Sequence, residues 1–153
     1  MIVLLVEDEA PKRQHVGNFL QTEFRDVEIS YANSVRSAIQ ALVHQKPDLL
    51  VLDMSLPTFD VGPTEAGGRP QGFGGVELLR NMELEEIECP VVVLTGYDAF
   101  AKAGGQVGLD TLNEELAAAH PRVFRGMLHY NSAYGDWQDR LRKLCGDLGF
   151  ATK

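Results

Sequence analysis

Three short apolar runs in this chain end in oxygen-bearing side chains. Met1 to Val6 leads into Glu7-Asp8-Glu9, Asp48 to Leu52 into Asp53-Met54-Ser55-Leu56-Pro57, and Val91 to Leu94 into Thr95-Gly96. A lone acid at a strand end does no more than close the strand or cap the helix that follows. Several acids and a hydroxyl gathered on one edge are different, because their mutual repulsion destabilises the fold unless a cation or a raised pKa relieves it. The chemistry offered is therefore cation binding at an acidic edge. Gly96 leaves the Thr95 hydroxyl unshielded.

The elements that must position these groups follow from the hydrophobic pattern. Continuous apolar residues of strand length, such as Leu49-Leu50-Val51-Leu52 between Pro47 and Pro57, read as a strand covered on both faces of a parallel sheet. Pro11 suits the first turn of a helix, and Val16, Phe19, Leu20 and Phe24 then recur at helical spacing. Val27 to Tyr31 alternates as a strand, and Asn33 or Ser34 caps a helix with Val35, Ala38, Ile39, Leu42 and Val43 on one face, ending near Gln45 ahead of Pro47. Strand and helix in alternation predict an α/β doubly wound sheet, in which ligands bind outside the carboxyl ends of the strands.

Later segments are less regular. Residues 58–75 carry Gly62, Pro63, Gly67, Gly68, Pro70, Gly72, Gly74 and Gly75, a composition that penalises helix and strand alike and reads as a long Gly/Pro-rich insertion beside the acidic edge. Val76, Leu79 and Met82 mark a short helix, and Pro90 opens the strand Val91 to Leu94. The enlarged segment 97–122 predicts at most a short helix around Ala99 to Ala103, then a better one from Asp110, as cap, to Ala119. Val123 to Tyr130 reads as the fifth strand, and Trp137, Leu141, Leu144 and Leu148 as the stripe of a last helix.

Bulk properties narrow the function. The 153 residues suit a single domain, and a net charge of -8 argues against attraction to nucleic acid or to an anionic membrane. Cys89 and Cys145 lack the spacing of a disulfide framework or zinc site, and the apolar start is too short for a signal peptide or span. The expectation is a reducing, cytoplasmic setting.

Leu4-Leu5-Val6-Glu7-Asp8-Glu9, Leu50-Val51-Leu52-Asp53-Met54-Ser55-Leu56-Pro57 and Val92-Val93-Leu94-Thr95-Gly96 together resemble the response-regulator receiver family of two-component signalling, over about the first two thirds of the chain. The resemblance implies a flavodoxin-like five-stranded parallel sheet with helices on both faces. It also implies phosphoryl acceptance on Asp53 from a histidine kinase or phosphotransfer protein. Mg2+ would be held by Asp8, Asp53 and the Ser55 backbone carbonyl, with Glu7 acting through water, and Thr95 would bond a phosphoryl oxygen. Such a protein is a signalling switch and not an enzyme, beyond its own phosphotransfer and dephosphorylation, and it passes the signal to a downstream protein by contact.

Two positions depart from the family pattern. Tyr130 stands where the resemblance places a lysine at the end of the fifth strand, and Met127 where it places an aromatic switch residue. His129, Lys102 and Arg69 are candidates to supply the missing charge, though nothing in the sequence selects one. Two readings follow: an atypical single-domain response regulator in a phosphorelay, or a receiver-like interaction module that works without phosphorylation.

Overall fold

The computed structural model describes residues 1–58, 74–96, 99–102 and 105–153, with the backbone alone for 99–102 and 105–107. In chain order the elements are β1 (Ile2–Val6), α1 (Ala10–Glu23), β2 (Glu28–Ala32), α2 (Val35–His44), β3 (Leu49–Leu52), α3 (Gly74–Leu84), β4 (Val91–Thr95), β5 (Ala99–Lys102), β6 (Gly105–Gly108), α4 (Leu109–Ala119), β7 (Phe124–His129) and α5 (Asp136–Asp147). Five strands form one parallel sheet in the order β2-β1-β3-β4-β7. This is the doubly wound arrangement expected from the alternating pattern, in the flavodoxin-like order that the family resemblance implies.

Alternation along each central strand sends side chains to two separate cores. Leu4, Val6, Leu50, Leu52, Val91 and Val93 pack against Ala38 and Leu42 of α2, Leu78, Leu79 and Met82 of α3, and Leu112 and Leu116 of α4. Val3, Leu5, Leu49, Val51, Val92 and Leu94 pack against Val16 and Leu20 of α1 and Trp137, Leu141 and Cys145 of α5. Burial on both faces explains why these strands are apolar throughout. Ser34 caps α2 by accepting from the Ser37 backbone N–H, and the Ser37 hydroxyl closes the capping box.

Three sequence expectations change. The segment around Ala99 to Ala103 is not a short helix: β5 and β6 pair antiparallel, Ala99 with Gly108 and Lys102 with Gly105, as a separate ribbon. The glycines there each cost a helix about 1 kcal/mol, whereas a ladder satisfies the same backbone groups. The Gly/Pro-rich stretch ends two residues early, since Gly74 and Gly75 begin α3; residues 59–73, and Arg69 with them, lie outside the described residues. Asp110 lies in the first turn of α4, with Gly108 as its cap.

A β-bulge sets the phase of the last strand. Val91 pairs with Phe124 but Val92 with Gly126, so Arg125 is the extra residue, and Gly126 takes φ 151, a value that favours glycine. Beyond the bulge Met127 turns to the α2/α3/α4 core, and Leu128 to the α1/α5 core.

Candidate functional site

The sheet order reverses direction between β1 and β3, which opens a crevice at their carboxyl ends. Glu7 and Asp8 follow β1 directly, and Asp53 follows β3. The ladder continues into both turns: Glu7 N–H donates to Ala32 O at 3.0 Å and Asp53 N–H to Val6 O at 3.0 Å. Both acids are thereby fixed by backbone geometry, with Glu7 1% and Asp53 5% exposed and Asp8 half-buried.

The chain after Asp53 is held from two sides. A Cβ on Gly74 would meet Leu56 O at 2.5 Å, and one on Gly75 would meet Asp53 O at 2.9 Å, so α3 begins against backbone that only glycine can approach. Gly75 N–H donates to Met54 O at 2.8 Å, and the first turn of α2 reaches over with Val35 N–H donating to Pro57 O at 3.1 Å. Ser55, half-buried between these anchors, belongs to the same turn as Asp53.

One carboxylate oxygen each from Glu7, Asp8 and Asp53 lies within 4.8 Å of the other two. Glu7 Oε1 and Asp53 Oδ1 are buried and receive no hydrogen bond. Burial drives the Glu7 carboxyl up to about 8; Lys12 draws it back, and the Asp53 carboxylate pushes it higher. Asp8 is also raised, first by burial. Orphaned carboxylate oxygens at this spacing, with no nitrogen or sulfur donor among them, fit a hard divalent cation such as Mg2+.

Thr95, whose hydroxyl the following Gly96 was expected to leave unshielded, instead ends β4 with no exposed surface, because the strand is covered on both faces, and stands opposite His129 in the register. Its carbonyl accepts from Tyr130 N–H at 2.7 Å, which ties the chain after β7 to the end of β4. Tyr130 is therefore at the site. Met127 is not, because it is 6% exposed within the aliphatic core. His129 is exposed, with its ring Nε2 3.3 Å from Gly96 O. The side chain of Lys102 lies outside the described residues.

Sequence reasoning missed Lys12. Its Nζ lies 2.8 Å from Glu7 Oε1 and 3.4 Å from Asp53 Oδ1, donates to Leu94 O at 2.7 Å, and sits 5.5 Å from the centroid of the Tyr130 ring. Both carboxyl groups thus face the ammonium, Glu7 at the shorter distance. A signal for it was present: Lys12, Val16 and Leu20 recur every fourth residue, so Lys12 lies on the buried face of α1.

The family model described as the response regulator receiver domain matches residues 3–112. The chain is 27% identical over 145 residues to an uncharacterized protein, y4jR, of Sinorhizobium fredii, covering 93% of this chain and 95% of that one. It is 23% identical over 150 residues to the Detocs response regulatory protein DtcB of Enterobacter cloacae, covering 97% and 100%. Among solved structures, the CheY-like receiver domain from Methylobacillus flagellatus matches with a TM-score of 0.65 at 15% identity, over 97% of this chain and 98% of that one. The Mn(2+)-bound form of response regulator Rcp1 matches with 0.60 at 22%, over 94% and 90%. The acidic crevice of a flavodoxin-like sheet and the family match agree, and the chain belongs to the response-regulator receiver domain family of two-component signalling.

Proposed function

We propose that this protein is an atypical single-domain response regulator that accepts a phosphoryl group on Asp53 from a phosphohistidine of a histidine kinase or phosphotransfer protein. The observation that carries this reading is the convergence of Glu7, Asp8 and Asp53 within 4.8 Å, two of them with buried oxygens that no hydrogen bond satisfies. Asp53 is the nucleophile: a carboxylate oxygen forms the new O–P bond as the P–N bond to the donor imidazole breaks. Asp8, Asp53 and the Ser55 carbonyl would hold Mg2+, with Glu7 beside them, and the ion would supply positive charge to offset the phosphoryl oxygens.

The protein's own contribution is placement. The ladder bond to Val6 O and the glycine contacts beneath Met54 to Leu56 hold Asp53 at a fixed height in the crevice, so the donor meets an oriented nucleophile. Thr95, buried at the end of the neighbouring strand, supplies a hydroxyl to a phosphoryl oxygen. Its shift towards that oxygen carries the change to the surface read by a downstream protein.

The test is phosphorylation by acetyl phosphate with Mg2+, followed by intact mass, for the parent and Asp53→Asn. Addition of one phosphoryl group to the parent alone is expected. Beryllofluoride with Mg2+ should raise the Tm of the parent and leave that of Asp53→Asn unchanged. Identical behaviour of the two proteins would replace this reading with that of a phosphorylation-independent interaction module.

A further inference from the structure

We propose that Lys12, reaching the crevice from the first turn of α1, is the cation that pairs with the phosphoryl group on Asp53, and that the ring of Tyr130 positions it. The inference rests on the reading of Asp53 as phosphoacceptor and adds the residue that answers its charge.

A lysine is rarely buried unless it is paired, and the side chain of Lys12 is 7% exposed. Its surroundings come from four strand ends: Glu7 after β1, Asp53 after β3, Leu94 in β4 and Tyr130 after β7. Among the described residues, Lys12 is the one lysine or arginine within ion-pair distance of Asp53. An ammonium has three donors, and only one is directed, to Leu94 O. The rest of its charge faces Glu7 Oε1 at 2.8 Å and Asp53 Oδ1 at 3.4 Å, as ion pairs short of a well-directed hydrogen-bond geometry. Phosphorylation replaces the carboxylate of Asp53 with about two negative charges and three strong acceptor oxygens, a stronger partner for the ammonium than the carboxylate alone.

Tyr130 forms the wall of this pocket. Its hydroxyl lies 2.8 Å from His15 Nδ1, its ring stacks edge-on to His15 and tilts against Trp137, and its backbone N–H is bonded to Thr95 O. With both ends tied, the ring presents a fixed π surface to the ammonium. Tyr130, at the place where the family resemblance implies a lysine, thus supports a lysine delivered by another element.

The experiment compares the full chain with Lys12→Met, Lys12→Arg, the double variant Lys12→Met/Tyr130→Lys, and Asp53→Asn. The readouts are the acetyl phosphate phosphorylation rate, the beryllofluoride dissociation constant, and Mn2+ affinity measured without any phosphoryl donor. Lys12→Met should lower the rate on the order of 10²-fold, the scale seen when one charge-stabilising donor is removed. It should weaken beryllofluoride binding while Mn2+ binding stays or tightens. The double variant should recover at least about tenfold of the lost rate, and Lys12→Arg part of it, neither of which a purely structural lysine would produce. Parent-like rates and beryllofluoride binding in Lys12→Met would overturn the proposal. A parent that behaves like Asp53→Asn would overturn the phosphoacceptor reading instead. If Lys12→Met does not fold, the parent decides: the Lys12 side-chain 15N resonance should shift on adding beryllofluoride with Mg2+, and an unmoved resonance in a protein that binds the mimic refutes the pairing.

Discussion

The two faces of the sheet hold the same crevice by different means. On the α1/α5 face the core carries an aromatic cluster beside its aliphatic residues: Phe19, Phe24, Trp137 and Phe150 meet edge to face, and Lys12, His15 and Tyr130 continue that cluster up to the acids. On the α2/α3/α4 face the core is aliphatic apart from Phe124, with Leu78, Leu79, Met82, Leu112, Leu116 and Met127, and α3 approaches the turn after Asp53 through Gly74 and Gly75. One face supplies charge and polar contact. The other supplies position, by backbone packing too close for any Cβ. The difference shows that the electrostatic partners of Asp53 lie on the α1/α5 side, whereas Met127, the position first considered for a switch, belongs to the side that sets distance.

This contrast can be broken at several points, beginning with the largest effect. Trp137→Ala removes the centre of the aromatic cluster and should cost about 3–5 kcal/mol in denaturant unfolding. It should also loosen Tyr130, read as a weaker beryllofluoride complex in protein that remains folded. Gly75→Ala forces a Cβ to within 2.9 Å of Asp53 O and should destabilise by about 1–3 kcal/mol. Its signature is a loss of phosphorylation rate with Lys12 intact, because the nucleophile itself is displaced; a parent-like rate would show that the glycine contact does not set its height.

The pH dependence probes the charged side alone. Glu7 in the folded protein titrates near 8 against 4.5 when unfolded, so the folded state holds the extra proton between those values. Stability of the metal-free protein should therefore be greatest below about pH 4.5 as far as this group is concerned, fall by at most about 1.4 kcal/mol per pH unit as pH rises, and level off above 8. Glu7→Gln should flatten the slope, measured as urea midpoints across that window.

Smaller effects separate Tyr130 from Met127. Tyr130→Phe keeps the ring beside Lys12 but loses the contact with His15, which should cost about 0.5–1.5 kcal/mol and weaken beryllofluoride binding measurably. Met127→Leu conserves volume in the aliphatic core and should cost less than about 1.5 kcal/mol with no change in that binding. A reversal of this pair, with Met127 moving the site and Tyr130 not, would undo the assignment of roles to the faces.

The buried thiols, Cys89 in one core and Cys145 in the other, provide a check on each. Burial pushes Cys145 up to about 12 and Cys89 up to about 11, so neither ionises near neutrality. Their alkylation in the native protein should follow global unfolding.

Legibility in the sequence followed the range of the interactions involved. Strand runs such as Leu49 to Leu52 and helix boundaries such as Ser34 and Pro47 are local signals, and the sheet and most helices were readable from them. The hairpin of β5 and β6 was not, because glycine-rich sequence marks what the chain avoids and leaves open which partner satisfies its backbone. The start of α3 at Gly74 was hidden for the same reason: two glycines read as loop until Asp53 and Leu56 are seen to need their missing Cβ atoms. Glu7, Asp8, Asp53 and Thr95 were legible as strand-end groups. Lys12 was passed over, although its four-residue spacing to Val16 was in plain view, because a charged residue in a first helical turn is ordinarily exposed.

The order of apolar runs and terminal acids was enough by itself to determine a parallel α/β sheet with an acidic carboxyl edge, since strand burial and crossover rules act on short segments and leave few alternatives. Which cation stands beside Asp53 was decided only in three dimensions. Lys12 is 41 residues from Asp53 and 118 from Tyr130 in the chain (53 − 12 and 130 − 12), and α1 brings it to both by packing across the sheet. Distance along the chain carries no information about such a meeting; it depends on strand order and on the one-residue bulge that turns Leu128, and Tyr130 after it, towards α1.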